Sequence, residues 1–385
     1  MPEMVMDFNA FDKAIERLLK RNQGLEKGFP ICWPGVKKEF GGYDLIPGVY
    51  QIVGLAGAYK TATAMGLLIG GARDGHPGAY IGAEMGQEDV LARMASFYST
   101  EKKFGEVETD WGKIMGGKIK RHYPECPCSD CEKDLERLSA MLGLVRERMG
   151  AGLVEWIIKP PTELTAPYLT SLCEKVGKQG RKRGKTPLVV VDYLQLLPSP
   201  PESRLSLRES IKEWTVWGRQ RAVQNNVAVI FLSSTARSYY DLLRSQGQDA
   251  DQPWNKSAER LIGCGKESGE TEYSADAVFV MVKNTVTNDF HLGIAKNRLH
   301  PGRGWAVLHF DGSRVSDGYG RRHAVDLADG RTNIENHFHH DTWQAWADFV
   351  SASGLNHTDA GKLKAQLLEE GKLEEREGEV KYVAE

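Results

Sequence analysis

Residues 54–61 read GLAGAYKT. Gly54, Lys60 and Thr61 carry the essentials of a P-loop, in which successive backbone N–H groups surround phosphates, the lysine reaches the terminal phosphates and the following hydroxyl holds magnesium. The segment Gly54, Gly57, Ala58, Tyr59, Lys60, Thr61 and Ala62 is the candidate nucleotide-binding loop, and ATP with Mg2+ is what such a loop takes. Tyr59 stands where the motif has its second glycine, so its side chain must either tolerate a tight backbone or crowd the phosphates.

A P-loop is credible only between a strand and a helix, and the flanking sequence supplies both. Apolar, β-rich runs occupy 49–57, 78–84, 187–198, 227–235, 276–282, 290–297 and 305–312. Most are too continuously apolar to be half exposed, which implies a mainly parallel sheet covered on both faces by helices, an α/β fold. ATAMGLLIGGARDG (62–75) follows the loop with helical spacing, as EDVLARMASFYS (88–99) follows the second run. Two acids stand at the strand ends. Asp192 closes LVVVD, where a carboxylate orients magnesium and its waters, and Glu84 closes YIGAE, where it can polarise an attacking water.

Composition sets the class. The chain has 385 residues, 41% hydrophobic and 26% charged, enough for one large domain or one large and one small. No run approaches the roughly 18 apolar residues of a membrane helix, and the N-terminus (MPEMVMDFNAFDK) has neither a basic start nor an apolar signal core, so the reading is cytoplasmic with no membrane partner. A formal net charge of −2 argues against an anionic polymer binding over the whole face, while leaving room for a local basic patch repeated by symmetry.

Two flanks lie outside the core. Residues 8–21 place Phe8, Phe11, Ile15, Leu18 and Leu19 on one helical stripe, which docks either on its own domain or on a neighbouring subunit. The tail from 341 reads as two helices (342–355 and 358–371) and a hairpin turning at Glu377 and Gly378, a winged-helix-like outline whose excess of glutamate fits a protein partner at least as well as DNA.

From about residue 28 to 315 the chain resembles the motor domain of DnaB-family replicative helicases. The likeness is carried by GLAGAYKT, GAEMGQEDVLARM (82–94), VVVDYLQLL (189–197), IFLSSTAR (230–237), KESGETEYSADAV (266–278) and IAKNRLHPGRG (294–304) leading to FDG, six segments in the family's order. It implies a RecA-like, mainly parallel sheet flanked by helices, with an N-terminal linker helix at 1–30, an ATPase core at 31–335 carrying an insert at 103–150, and a small winged-helix-like domain at 336–385. It also implies an ATP-dependent helicase that assembles as a homo-oligomeric, hexameric ring and translocates on single-stranded DNA. Glu84 becomes the catalytic base, Lys60 and Thr61 hold phosphate and magnesium, and Asp192 is the Walker B acid. Lys296 and Arg298 become the pair that reaches a neighbouring subunit's nucleotide; without the resemblance, Arg298 reads as a solvated side chain. Lys266, Glu267 and Gly269 match the loop that contacts the DNA backbone, with 237–256 and SPPESRLSLRESIKEW (199–214) as further candidate channel loops or plain surface connections.

Tyr59 is one departure from that pattern. Ser234 replaces a glutamine that senses the γ-phosphate, and only about 30 residues precede the motor, so the domain that recruits primase is expected to be missing. The resemblance implies a replication role in a plasmid, phage or mobile element, with an initiator, loader or primase as partner. Two alternatives stay open: a RecA-like recombinase that forms filaments, and a regulatory or loading ATPase without processive unwinding.

One insert feature lies outside the family pattern. His122, Cys126, Cys128 and Cys131 (HYPECPCSDC) put four zinc-compatible ligands within ten positions, although they can equally be loop residues. A structural zinc predicts about one metal per chain by elemental analysis of untagged, reduced protein, and metal at background rejects it.

Overall fold

The computed structural model describes residues 8–99, 111–116, 129–151, 153–198, 205–241, 243, 261–262, 264–265, 274–283, 289–299, 304–310, 314–317, 344–345, 357–370, 372–376 and 379–382. The chain divides into two compact units, Met1–Ser316 and Asp317–Glu385.

The first unit is built on one sheet. Its strands are β1 (Gly48–Gly54), β2 (Gly78–Gly82), β3 (Val154–Ile158), β4 (Leu188–Asp192), β5 (Ala228–Ser234), β6 (Ala277–Lys283), β7 (Asp289–Asn297), β8 (Trp305–Phe310) and β9 (Val315–Asp317). They lie in the order β3-β2-β4-β5-β1-β6-β7-β8-β9. From β3 to β6 neighbours run parallel, and β7 and β8 continue antiparallel. Every residue of β1, β2 and β4 is buried, which is why these segments read as unbroken apolar runs. Alternation then divides the core. Tyr50, Ile52, Tyr80, Val190 and Ile230 face one layer, while Val49, Val53, Val189, Val191 and Val229 face the other.

Helices α1 (Phe8–Asn22), α2 (Pro34–Glu39), α3 (Lys60–Arg73), α4 (Gln87–Tyr98), α5 (Trp111–Met115), α6 (Ser129–Gly150), α7 (Ala166–Arg183) and α8 (Leu207–Asn225) complete this unit. The segment before β1 packs across α3 where its side chains vanish. A Cβ on Gly66 would stand 3.0 Å from Trp33, one on Gly70 2.9 Å from Cys32, and one on Gly71 2.1 Å from the buried Phe29 ring. The sequence GLLIGGAR is thus a docking face for Phe29, Cys32 and Trp33. On α1, Ile15, Leu18 and Leu19 are exposed.

Three expectations change. RESIKEW, a candidate channel loop by sequence, forms the first turns of α8. Ser206 caps that helix through a capping box in which its side chain accepts from Glu209 N and the Glu209 carboxylate accepts from Ser206 N. The Ser-x-x-Glu spacing at 206–209 is the signal that marks it. β3 (VEWII) is absent from the strand candidates. It is an edge strand with four half-buried residues, so it lacks the continuous apolar run of its neighbours. Glu84 does not end a strand either, since β2 stops at Gly82 and Glu84 lies in the following bend.

The second unit contains β10 (Gln344–Ala345), α9 (His357–Glu369), β11 (Leu373–Arg376) and β12 (Glu379–Tyr382), with strand order β10-β12-β11. The helix expected over 342–355 is a strand at Gln344 and Ala345, and the rest of that span is outside the described residues. The hairpin has the expected register, Arg376 opposite Glu379, with Glu377 and Gly378 outside the described residues. Leu363, Leu367, Leu373 and Val380 are buried in this unit.

The glycine face of α3 gives a stability test. Gly71→Ala is expected to lower stability, because overpacking of about 1–3 kcal/mol against Phe29 exceeds the gain in helix propensity. Gly143→Ala in α6, whose added Cβ meets nothing within 4 Å, should instead be neutral or stabilising by up to ~1 kcal/mol. Denaturant melts of the two variants check the contrast.

Candidate nucleotide site

The loop after β1 and the N-terminus of α3 border a cavity of about 410 Å3, which Glu84 and Asp192 also line. Brought together here are Gly57, Ala58, Tyr59, Lys60, Thr61, Ala62, Glu84, Asp192 and Ser234. Parallel strands make this possible: β1, β2, β4 and β5 end at one edge of the sheet, so the residues that follow them converge although they are far apart in sequence.

Thr61 Oγ1 donates to Asp192 Oδ2 at 2.7 Å, and the Tyr80 phenol donates to the same oxygen at 2.6 Å. Lys60 Nζ donates to the carbonyls of Gly54 and Leu55, each at 2.8 Å. Asp192 is only 3% exposed. Burial raises its carboxyl above the usual range, against the pull of the Tyr80 and Thr61 hydrogen bonds and the charges of Lys60 and Arg93. Burial likewise lowers the Lys60 ammonium, against the attraction of Asp192 and Glu84. The Tyr80 hydroxyl is pushed well above the usual tyrosine range by burial and by Asp192, so it is a protonated donor.

Tyr59 takes the left-handed backbone that a glycine would take, with φ 61 and ψ 22. Its ring rests on Phe310 at 4.6 Å and Phe290 at 5.5 Å between centroids, with Lys283 Nζ 5.0 Å from its centre. Of the sequence alternatives, tolerance of the tight backbone is what the loop displays.

The Thr61 hydroxyl and the Asp192 carboxylate are hard oxygens 2.7 Å apart beside the loop, the donor type from which Mg2+ takes one or two protein ligands. They fit that ion. The zinc expectation meets no comparable test: His122, Cys126 and Cys128 lie outside the described residues, as does the side chain of Cys131 in α6. Among the described residues no group of three or more His, Cys, Asp or Glu could hold a metal. Lys266, Glu267 and Gly269 also lie outside the described residues, as do 244–256 of the second candidate loop and 199–204 of the third.

Arg298 and Lys296 are not part of this cavity. Arg298 Nη1 lies 3.4 Å from Asp276 Oδ1, whose other oxygen accepts from Val49 N at the start of β1. Arg219 also reaches Asp276 Oδ1, at 3.1 Å. Lys296 is opposite Val278 near the start of β6. Both cations therefore stand at the sheet edge opposite the P-loop, a strand length of about 20 Å away. Arg298 is exposed there.

Sequence reasoning misses Tyr80, Arg93, Trp111 and Phe310. The Arg93 guanidinium stacks over the Trp111 ring at 3.9 Å, and both line the cavity with Phe310. Arg93 lies in a helix whose sequence signal is its spacing alone, and Trp111 and Phe310 carry no motif of their own.

No protein-family model matches this sequence, and no curated protein does. Among solved structures, the ATPase domain of a helicase superposes with a TM-score of 0.59 at 18% identity, covering 80% of this chain and 98% of that one. A DnaB-like replicative helicase, solved for its interactions with primase, gives 0.56 at 18% identity, covering 79% of this chain and 66% of that one. No helix among the described residues is long and apolar enough to cross a membrane.

If the cavity takes a nucleotide, the environment of Trp111 changes when it fills. Adding ATP should alter the tryptophan emission, and Trp111→Phe should remove most of that change despite the other eight of nine tryptophans. An equal response in the variant rejects Trp111 as a wall of the nucleotide cavity. By its strand order and by these superpositions, the first unit has the RecA-like ATPase-domain fold of DnaB-like replicative helicases.

Proposed function

We propose that this chain is an ATP-hydrolysing motor that works as a homo-oligomeric ring on single-stranded DNA in replication. One observation carries the reading: Lys60, Thr61, Glu84 and Asp192 share one cavity at one edge of the sheet, while Arg298 stands exposed at the opposite edge. A cation placed about 20 Å from its own P-loop cannot serve its own nucleotide. It can serve the nucleotide of a second copy.

The division of labour follows from the chemistry. Backbone N–H groups of the loop and the N-terminus of α3 bind the phosphates, and Lys60 exchanges its carbonyl partners for terminal phosphate oxygens. Thr61 and Asp192 hold magnesium, which neutralises charge on the phosphates when bound. Glu84, in the bend after β2, orients and polarises the attacking water. A neighbouring Arg298, with Lys296 beside it, meets the charge that develops on the γ-phosphoryl oxygens, so turnover depends on assembly. Asp276 is positioned to keep the Arg298 guanidinium oriented until that partner arrives. DNA contact through Lys266, Glu267 and Gly269 rests on the sequence resemblance, and phosphate contacts there would give affinity without base readout.

Mixed assemblies test the reading. Lys60→Ala is expected to lose nucleotide affinity, whereas Glu84→Gln should bind nucleotide and fail to hydrolyse it. Arg298→Ala should also bind, yet turn over on the order of 10³-fold more slowly, well beyond the effect of a surface ion pair. Mixing Arg298→Ala with Glu84→Gln subunits should restore part of the ATPase activity, because one class of interface joins an intact Glu84 to an intact Arg298. If proven mixed assemblies hydrolyse no faster than either variant alone, the proposal falls. Single-stranded DNA should raise the wild-type rate.

A further inference from the structure

Tyr80 belongs to none of the motor motifs, yet its hydroxyl makes the shortest of the hydrogen bonds to Asp192. We propose that Tyr80 is the positioning residue for Asp192: its phenol fixes one carboxylate oxygen, leaving the other directed at the magnesium of the bound nucleotide. This rests on reading Asp192 as the magnesium-holding acid.

The local structure is shaped around that bond. Tyr80 lies in β2 opposite Val190, two residues short of the level at which Gly82 faces Asp192 in β4. Its ring must therefore reach along the strand direction, over Gly82, to bring the hydroxyl to Oδ2. Gly82 makes the path available, because a Cβ there would stand 2.9 Å from Tyr80 Cε1. On the β3 side, Trp156 is the register partner of Tyr80 and packs against its ring with centroids 5.3 Å apart. Tyr80 is completely buried, so the ring is held from several sides. A side chain needed only to fill this layer would require no hydroxyl, and an unpaired one would be costly.

The second donor to Oδ2 explains why Tyr80 is required. Thr61 shares that oxygen, but Thr61 is itself a proposed magnesium ligand. Its hydroxyl cannot hold the carboxylate and the metal with the same preference. Tyr80 reaches Asp192 from the sheet interior, behind the loop, and its bond does not compete with the ligand side. Outer partners of this kind orient metal-holding carboxylates, and their loss typically costs about 10–100-fold in metal affinity.

The test is a titration of mant-labelled ATP against the full-length protein, in EDTA and across a MgCl2 series, with thermal melts alongside. The expected result is that Mg2+ tightens binding to the wild type, while Tyr80→Phe keeps its EDTA affinity and melting temperature but needs about 10-fold more Mg2+ for half-maximal tightening. Gly82→Ala, which pushes the ring aside while retaining the hydroxyl, should shift the Mg2+ curve in the same direction. Tyr80→Phe in an Asp192→Asn background should add no further shift. The inference is overturned if Tyr80→Phe follows the wild-type Mg2+ curve, or if it loses binding equally in EDTA and Mg2+, the mark of a packing role alone. A wild-type protein that binds mant-ATP without any Mg2+ dependence overturns the assignment of Asp192 itself, and the role of Tyr80 with it.

Discussion

A carboxylate almost wholly removed from water, at the end of a central parallel strand, is the constraint around which this structure is organised. An isolated ionised group in such a place would be too costly to keep charged. Asp192 is tolerable because two hydroxyls donate to one of its oxygens and two cations, Lys60 and Arg93, act on it. Each donor comes from a different strand or loop. Thr61 follows β1, Tyr80 is in β2 and Asp192 ends β4, so these hydrogen bonds also fix how those segments end relative to one another. The same arrangement that makes the charge bearable forms the hard-oxygen pair suited to Mg2+.

The sheet then separates two chemical roles by direction. Strands that run parallel deliver the P-loop, Glu84 and Asp192 to one edge. β7 runs the other way, and its C-terminal end carries Lys296 and Arg298 to the opposite edge. Asp276 anchors that second group by accepting from Val49 N while pairing with Arg219 and Arg298. A single chain thus holds complementary halves of the proposed hydrolytic centre that cannot meet within it, and the distance is a consequence of strand length rather than of any loop that could close.

Tyr59 shows how a departure from a motif is accommodated. A non-glycine residue in the left-handed region costs about 1 kcal/mol or more. The ring recovers a comparable amount from its contacts with Phe290 and Phe310, each such pair being worth about 0.5–1.5 kcal/mol, with Lys283 over its face. Where Ser234 replaces the expected glutamine, a glutamine from another segment is close by: Gln195 donates to Ser233 Oγ at 2.8 Å and accepts from Ser234 N at 3.5 Å. The amide group absent from one position is present beside it.

By itself the sequence determined the parallel α/β core, because strands buried on both faces must be apolar throughout, and β1, β2, β4 and β5 are. It also determined the P-loop and its two acids, since phosphate binding demands fixed residue types at short, local spacings. β3 is not legible there because an edge strand is half exposed and loses the apolar signal, and the start of α8 reads as a loop because its polar first turns hide the Ser206–Glu209 cap. Tertiary structure alone decided that Tyr80 meets Asp192 across 112 residues of sequence, that Arg93 and Trp111 wall the cavity, and that Arg298 lies far from the P-loop. Those are consequences of strand order and direction, which bring together residues whose separation along the chain carries no periodic or local trace.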